Sequence, residues 1–266
     1  MNYKYAILLG IVAFSSFQAP AKAASLLGTA NDFGVLGGST VTNTGPSVIM
    51  QSLGVNAGSS ATGFSPGIVN GTIFTSDAVA AQAQLDNASA YNYLAKLSPT
   101  KELTGVDLGG LTLTPGVYSF SSSAQLTGKL TLDNLGDPNA LFVFQIASTL
   151  TTASNSSVVT TNGEAPNVFF QIGSSATLGT GTQFMGNILA LTSITLTTGV
   201  NIECGRALAQ NGAVTMDTNK VSNTCYTKPK PQEVAEVPEP DSSLGVIGSG
   251  LAGLLFTFSK RFRKGW

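Results

Sequence analysis

The chain has 266 residues, 42% of them hydrophobic and only 10% charged, with 30 glycines, no histidine and a formal net charge of −1. Roughly a quarter of residues are charged in an ordinary globular domain, so surface polarity here must come mainly from Thr, Ser, Asn and Gln. Between Ala24 and Tyr226 five cations (Lys96, Lys101, Lys129, Arg206, Lys220) face ten acids, which excludes the basic patch of a nucleic-acid binder, and the missing histidine excludes a histidine-based triad.

Met1 to Ala23 reads as a secretory signal peptide, with Lys4 before an apolar run and Ala21-Lys22-Ala23 as a small-x-small cleavage site. The mature chain then starts at Ala24. Leu26 to Ser47 carries short Thr- and Val-rich strands broken by Gly37-Gly38 and Thr44-Gly45-Pro46. Val48 to Asn56 and Gly67 to Phe74 read as further strands around a Gly/Ser-rich loop.

Asp77 to Leu97 breaks the β character. It is Ala-rich, contains neither Gly nor Pro, offers Ser76 or Asp77 as an N-cap, and is stopped by Pro99. Val79, Ala83, Ala90, Tyr91, Leu94 and Leu97 are expected to share its buried face. Such a helix, about 30 Å long, would brace one flank of a sheet. Beyond it, Leu141-Phe-Val-Phe-Gln-Ile146 and Val168-Phe-Phe-Gln-Ile172 are near-copies, apolar on both faces, expected to lie between a core and the helix.

From about Gln125 to Lys220 one short pattern returns. It reads Leu150-Thr-Thr152-Ala-Ser-Asn155, Leu178-Gly-Thr180-Gly-Thr182-Gln183, Leu196-Thr-Thr198-Gly-Val-Asn201 and, more loosely, Met216-Asp-Thr218-Asn219, with Leu126-Thr127-Gly128 as a degraded copy. By subtraction the anchors lie 24, 28, 18 and 20 residues apart, a period near 20 that argues for stacked β-coils. Two threonine columns could then form a surface: 149/177/195/215 or 152/180/198/218. Outward threonines also simply suit strand surfaces.

Cys204 and Cys225 are 21 residues apart, close to one coil. Residues one coil apart lie roughly 4.7 to 4.9 Å apart, within the Cα separation a disulfide accepts. A structural disulfide is expected, and a metal site is not.

Lys228 to Glu236 is a polar linker. Val237-Pro238-Glu239-Pro240, an apolar run from about Leu244 to Phe258 and a basic tail from Lys260 to Lys264 follow. This end resembles the PEP-CTERM sorting signals of bacteria. The resemblance implies that Pro238, Glu239 and Pro240 mark processing by an exosortase while the apolar run holds the chain temporarily in the membrane. A permanent single-pass anchor is the alternative. In either case the working domain faces outward, secreted or held in the cell envelope or extracellular matrix.

The domain itself resembles the ice-binding proteins of the DUF3494 type. The matching stretches run through it in the family's order and include Gly38-Ser-Thr-Val-Thr-Asn-Thr-Gly45, Asp77-Ala-Val-Ala-Ala-Gln-Ala83, Leu113-Thr-Pro-Gly-Val-Tyr118, Gly136-Asp-Pro-Asn-Ala-Leu-Phe-Val-Phe144 and Gly205-Arg-Ala-Leu-Ala209. The resemblance implies a mainly β fold, a right-handed discontinuous β-solenoid of triangular cross-section with one long α-helix alongside. It also implies a flat face of Thr-Ala/Gly-x-Thr/Asn repeats that adsorbs to an ice crystal surface. On that pattern the ice-binding candidates are Thr152, Asn155, Thr180, Thr182, Thr198, Asn201 and Thr218, with the 152/180/198/218 column preferred.

No cofactor is expected. The rival readings are a matrix protein binding exopolysaccharide, which clustered exposed aromatics such as Tyr118 would favour, and a polysaccharide-cleaving enzyme. The latter needs two close carboxylates, and Asp107, Asp133 and Asp137 are the only mid-chain cluster.

Overall fold

The computed structural model describes residues 26–163 and 167–225. The expected signal peptide, the linker, and the Pro238-Glu239-Pro240 tail with its apolar run lie outside the described residues. Among the described residues no helix is long and apolar enough to cross a membrane.

The strands are short because the chain turns a corner every few residues, and each strand pairs in parallel with the one a coil away. Three ladders result. The first runs Ile73–Thr75, Ser52–Val55, Phe33–Gly37, the second halves of Asn201–Ala209 and Gln183–Ala190, then Asn167–Ile172, Leu141–Ile146, Gly116–Phe120 and Lys101–Glu102. The second runs Ile68–Val69, Val48–Ile49, Lys220–Val221, the first halves of Asn201–Ala209 and Gln183–Ala190, Ser157–Thr161, Lys129–Asp133 and Thr112–Leu113. The third runs Ser60–Thr62, Thr40–Thr44, Val214–Asp217, Ile194–Leu196, Ala176–Leu178, Leu150–Thr152 and Ala124–Leu126.

The first two ladders share their two longest strands, which bend at Gly186 and Gly205. Gly186 has φ +116°, and a Cβ on Gly205 would stand 1.8 Å from the Gly186 carbonyl oxygen, so only glycine fits that corner.

Sequence order and stack order differ. The first coils, Phe33 to Thr75, pair with the last one through Val35 on Ala207, Val41 on Val214 and Val48 on Lys220. The chain must then travel to the far end of the stack before coiling back. A helix, Ala78–Ala95, makes that crossing, capped by the Asp77 side chain, which accepts from the Ala80 amide at 2.8 Å.

Two glutamines fix the helix to the ladder. Gln84 donates to the Ala209 carbonyl (3.0 Å), and three strands further along Gln145 donates to the carbonyls of Leu94 (2.7 Å) and Leu97 (2.8 Å). Three ladder steps make about 14 Å, and the rise from residue 84 to 94 is about 15 Å, so helix and stack match in pitch. Ala80, Ala83, Asn87, Ala90, Tyr91 and Leu94 form the buried face. Val79, expected there, is 48% exposed, because the buried stripe runs through Ala80 and Ala83, one position round the helix. The helix packs on Val143, Phe169, Leu189 and Leu208, the outward residues of the doubly apolar strands.

Their inward residues fill the coil. Tyr118, Phe144, Phe170 and Phe184 stack with ring centroids 5.5, 4.5 and 4.7 Å apart, and the two Phe-Gln-Ile copies pair residue for residue. Arg206 is buried beside the helix flank, donating to Asn187 Oδ1 (2.8 Å) and to Asn31, and burial pushes its guanidinium down to about 10.

Cys204 and Cys225 are joined as expected, with their Cα atoms 4.4 Å apart. A loop of 21 residues closed this way contributes about 3 kcal/mol through the unfolded chain. Denaturant unfolding of a Cys204→Ser, Cys225→Ser variant is expected to show that loss.

A second prediction concerns acid. Asp86 on the helix accepts from the Thr29 amide and hydroxyl (both 2.7 Å) and from Gln82 (2.9 Å). Burial raises its pKa, but the hydrogen bonds from Thr29 and Gln82 outweigh it, so the carboxyl ends below its ordinary value. A group depressed in the folded state lends stability above its unfolded value of about 3.9 and loses it as pH falls through the folded value. Thermal unfolding is expected to separate the protein from Asp86→Asn at pH 6, with the gap closing as pH drops below about 4.

Candidate functional site

The third ladder sets out a surface in rows. In each strand an inward residue, an outward residue and a second inward residue follow one another, as strand geometry requires. The inward pairs are Ala124/Leu126, Leu150/Thr152, Ala176/Leu178, Ile194/Leu196, Val214/Met216 and Val41/Asn43, all buried. Between them the outward residues form one column: Gln125, Thr151, Thr177, Thr195, Thr215, Thr42 and Thr62.

Six consecutive threonines thus stand at the ladder spacing of roughly 4.8 Å. Each is β-branched and stiff at χ1, so its methyl and hydroxyl keep their places. None of the seven residues is charged. Small polar residues flank the column, including Ser123, Thr149, Ser175 and Ser193 on one side, where Thr149 donates to Ser123 (2.9 Å). Within a strand, outward residues two apart lie roughly 6.7 Å from one another, so the face is a two-dimensional grid. Charged side chains sit mostly at outward positions of the second ladder, at Lys129, Asp133, Glu203 and Lys220, while Asp217 ends one third-ladder strand at the margin of the grid.

This register corrects the repeat. Leu150 pairs with Ala176, and Leu126 pairs with Thr152, so the coil at Leu150 is shifted two residues from the alignment read off its leucines. The true steps along the column are 26 (125 to 151), 26 (151 to 177), 18 (177 to 195) and 20 (195 to 215).

Thr152 therefore occupies an inward leucine position. It is 3% exposed, and its hydroxyl sits 2.8 Å from that of Thr182 while accepting from the Gly179 amide at 2.9 Å. Thr182 is fully buried too, donating to the Gly179 carbonyl at 2.6 Å. Neither hydroxyl reaches a surface. The expectation that these two threonines contact ice fails because they satisfy each other and the corner backbone.

The remaining candidates do not form one column. Asn155 is exposed at a corner with φ +59°, the left-handed position that Gly181 and Gly199 hold in neighbouring coils. Thr180 and Thr198 are exposed one residue before that position, and Thr198 donates to Asp217 at 2.5 Å. Thr218 is itself left-handed, φ +54°, and donates to Asp217 at 3.0 Å. Asn201 lies on the second ladder, paired with Gln183, and donates to Gln183 (3.1 Å) and Glu203 (3.0 Å). Thr180, Thr198 and Thr218 border the grid; Asn201 lies beyond it.

Thr42, Thr62 and Thr151 were missed. The signal was the alternation of buried residue, threonine and buried residue at 41–43, 150–152, 176–178, 194–196 and 214–216, read with period two instead of from the leucine.

The sequence profile of the family described as Ice-binding-like matches residues 35–222. The chain belongs to this family. It is not a family of enzymes. The chain is 84% identical to a protein of Nostoc sp. (strain HG1) named ice-binding protein, across 100% of this chain and 99% of that one. It is 30% identical to an ice-binding protein of Colwellia sp, over 81% of this chain and 90% of that one. Among solved structures, an ice binding protein from an Antarctic biological consortium superposes with TM-score 0.72 at 47% identity, covering 80% of this chain and 95% of that chain. One from the Antarctic ascomycete Antarctomyces psychrotrophicus gives 0.71 at 41%, covering 74% and 97%. These relatives share the mainly β, parallel-stranded fold with one helix.

The rivals lose their particular residues. Tyr118 is 5% exposed, stacked on Phe144, with its hydroxyl given to the Thr114 carbonyl at 2.5 Å, so it offers a sugar nothing. The carboxylates fasten turns: Asp107 takes the Gly109 and Thr127 amides (2.7 and 2.9 Å), Asp133 the Leu135 amide (2.9 Å) and Asp137 the Asn139 amide (2.8 Å).

The placement of Thr152 is testable. Thr152→Val keeps the shape but strands the Gly179 amide, and is expected to cost about 1–3 kcal/mol in denaturant unfolding. A surface threonine would change stability by less than about 0.5 kcal/mol.

Proposed function

We propose that this is a secreted ice-binding protein whose adsorption surface is the threonine grid of the third ladder, centred on Thr42, Thr151, Thr177, Thr195 and Thr215. The observation that carries the reading is the unbroken, uncharged threonine column. A methyl and a hydroxyl at each point can order a water layer by apolar contact and hold it by hydrogen bonds. Each contact is weak, so adsorption requires many of them in fixed positions, which the ladder supplies. Charged groups would hold their own hydration water against the lattice, and the grid keeps them at its margin. Thr180, Thr198 and Thr218 extend the surface at its border. Adsorbed protein would then inhibit ice growth or recrystallisation.

Several finer features belong to the same reading. We take the three ladders as the sides of a right-handed solenoid of triangular cross-section. Secretion rests on the signal peptide ending at Ala23, and sorting at the far end rests on Pro238-Glu239-Pro240, both argued from sequence. The named relatives support ice as the partner and give no support to exopolysaccharide, an exosortase or membrane contact.

The test is to watch single ice crystals in a nanolitre osmometer. Faceted crystals and a freezing hysteresis are expected from the protein. Thr177→Tyr with Thr195→Tyr is expected to abolish most of that hysteresis without lowering the unfolding temperature, whereas Thr180→Tyr with Thr198→Tyr is expected to lower it less. Round crystals from folded, disulfide-intact protein would overturn the reading. A larger loss from the 180/198 pair would move the surface to the corner.

A further inference from the structure

The two ends of the stack are finished differently. At the end formed by Lys101–Glu102, Thr112–Leu113 and Ala124–Leu126, the loop between Leu103 and Leu111 folds across the coil. Leu103 and Leu108 are 4% and 0% exposed there, and Leu108 donates its amide to the Gln125 carbonyl at 2.9 Å. Charge stands at this end, with Lys101 and Glu102 exposed on the edge strand and Asp107 within the loop.

Nothing comparable closes the other end among the described residues. Its last strands are Ser60–Thr62, Ile68–Val69 and Ile73–Thr75, each paired on one side only. Ile73 stands in the same inward column as Leu53 and Val35, which are fully buried, yet it is 43% exposed. Ala61, Val69 and Phe64, which pack on the same core, are likewise only partly buried. The core of the solenoid ends in the open.

Terminal coils of repeat proteins need a polar cap, and edge strands are ordinarily blunted by Lys, Pro or an inward charge. This edge has none of the charged devices: from Phe33 to Ser76 the chain contains no Asp, Glu, Lys or Arg, and no Pro interrupts the three edge strands. Two such surfaces can meet without like-charge repulsion.

We propose that the open end, Ser60 to Thr75, is a self-association surface that pairs with the same end of a second copy. A second copy is favoured because three edge strands on three ladders must be matched together, and another open solenoid end presents the same three at the same spacing. The plugged, charged end offers no such match, so the contact is isologous and closes at a dimer instead of growing into a filament. A two-fold axis across the stack sets the facing edge strands antiparallel, with Ile73 and its neighbours from each copy covering the other's exposed core. The proposal is independent of the ice reading, and it brings the last strand of the threonine face, Ser60–Thr62, to the junction.

Sedimentation of the full chain across a concentration series, with hydrogen exchange at the two extremes, tests it. A monomer–dimer equilibrium is expected, with amides of residues 60–75 exchanging more slowly at high concentration. Ile73→Lys, which sets two ammonium groups face to face, is expected to weaken association by roughly tenfold or more. Should that variant loosen its own terminal coil, the hydrogen exchange of the unaltered protein still decides. A monomer at every concentration, or a dimer with unchanged exchange in residues 60–75, would overturn the proposal.

Discussion

Everything in this molecule depends on the parallel ladder, in which each backbone amide of one coil is given to the coil beside it. The ladder fixes the distance between coils, and the period-two alternation of a strand then decides which side chains point inward. Once those two constraints hold, equivalent residues of successive coils must stack in columns. Inward columns become the phenylalanine and leucine core. Outward columns become surfaces of repeated chemistry, and the same rule that stacks Phe144 on Phe170 also stacks Thr177 on Thr195.

The corners carry the irregularity that this regularity demands. Coils here differ in length mainly between the second- and first-ladder strands, where a loop joins Asp133 to Leu141 in one coil and a bend at Gly186 suffices in another. The corner after the threonine strand keeps one left-handed position, at Asn155, Gly181 and Gly199. Beneath the corner that follows the threonine strands, Thr152 and Thr182 replace a methyl-on-methyl contact with a shared hydrogen bond that also serves the Gly179 backbone. A buried hydroxyl is tolerable only when its partners are supplied, and here they come from the neighbouring coil. The helix acts on a longer scale. Its rise matches the ladder over the span from Gln84 to Gln145, so it splints coils that were joined only to their immediate neighbours.

Much of the architecture was legible in the sequence. The helix declared itself by composition and by the Asp77 cap, the doubly apolar strands by their near-copied Phe-Gln-Ile, and the disulfide by a spacing close to one coil. What failed was register. Leucine is not the fixed point of the repeat: Leu150 and Leu178 are not equivalent, because alanine fills the earlier inward position in one coil and threonine the later inward position in the other. A two-residue slip keeps the faces of a strand but exchanges the members of a column, so Thr149 was read in place of Thr151. Odd-numbered errors are worse: at Thr152 the slip of one relative to the outward column put a buried side chain on the surface. Period-two alternation from Leu150 is the local signal that sets Thr151 outward and Thr152 inward, but it spans only three residues. Only the partner, Thr182, 30 residues along the chain and in the next coil, makes the inward choice stable.

The distribution of charge ties the surface to its support. A face meant for charged or sugar ligands would place ionic groups or aromatic rings where they can reach out, yet most acids among the described residues hold turns or the helix, and the aromatics of the coils fill the core. Asp107, Asp133 and Asp137 secure loop amides, Asp77 and Asp86 secure the helix, and Tyr118 lies within the phenylalanine stack. The neutral hydroxyl grid left over is not a default of low charge, since the second ladder of the same coils does carry Lys129, Glu203 and Lys220 at outward positions. The same backbone constraint acts on both ladders, and only the third keeps its central outward column free of charge, with Asp217 at the margin. A surface of weak, identical, fixed contacts is what binding to a repeating solid requires, because such a partner offers no single group worth a strong one.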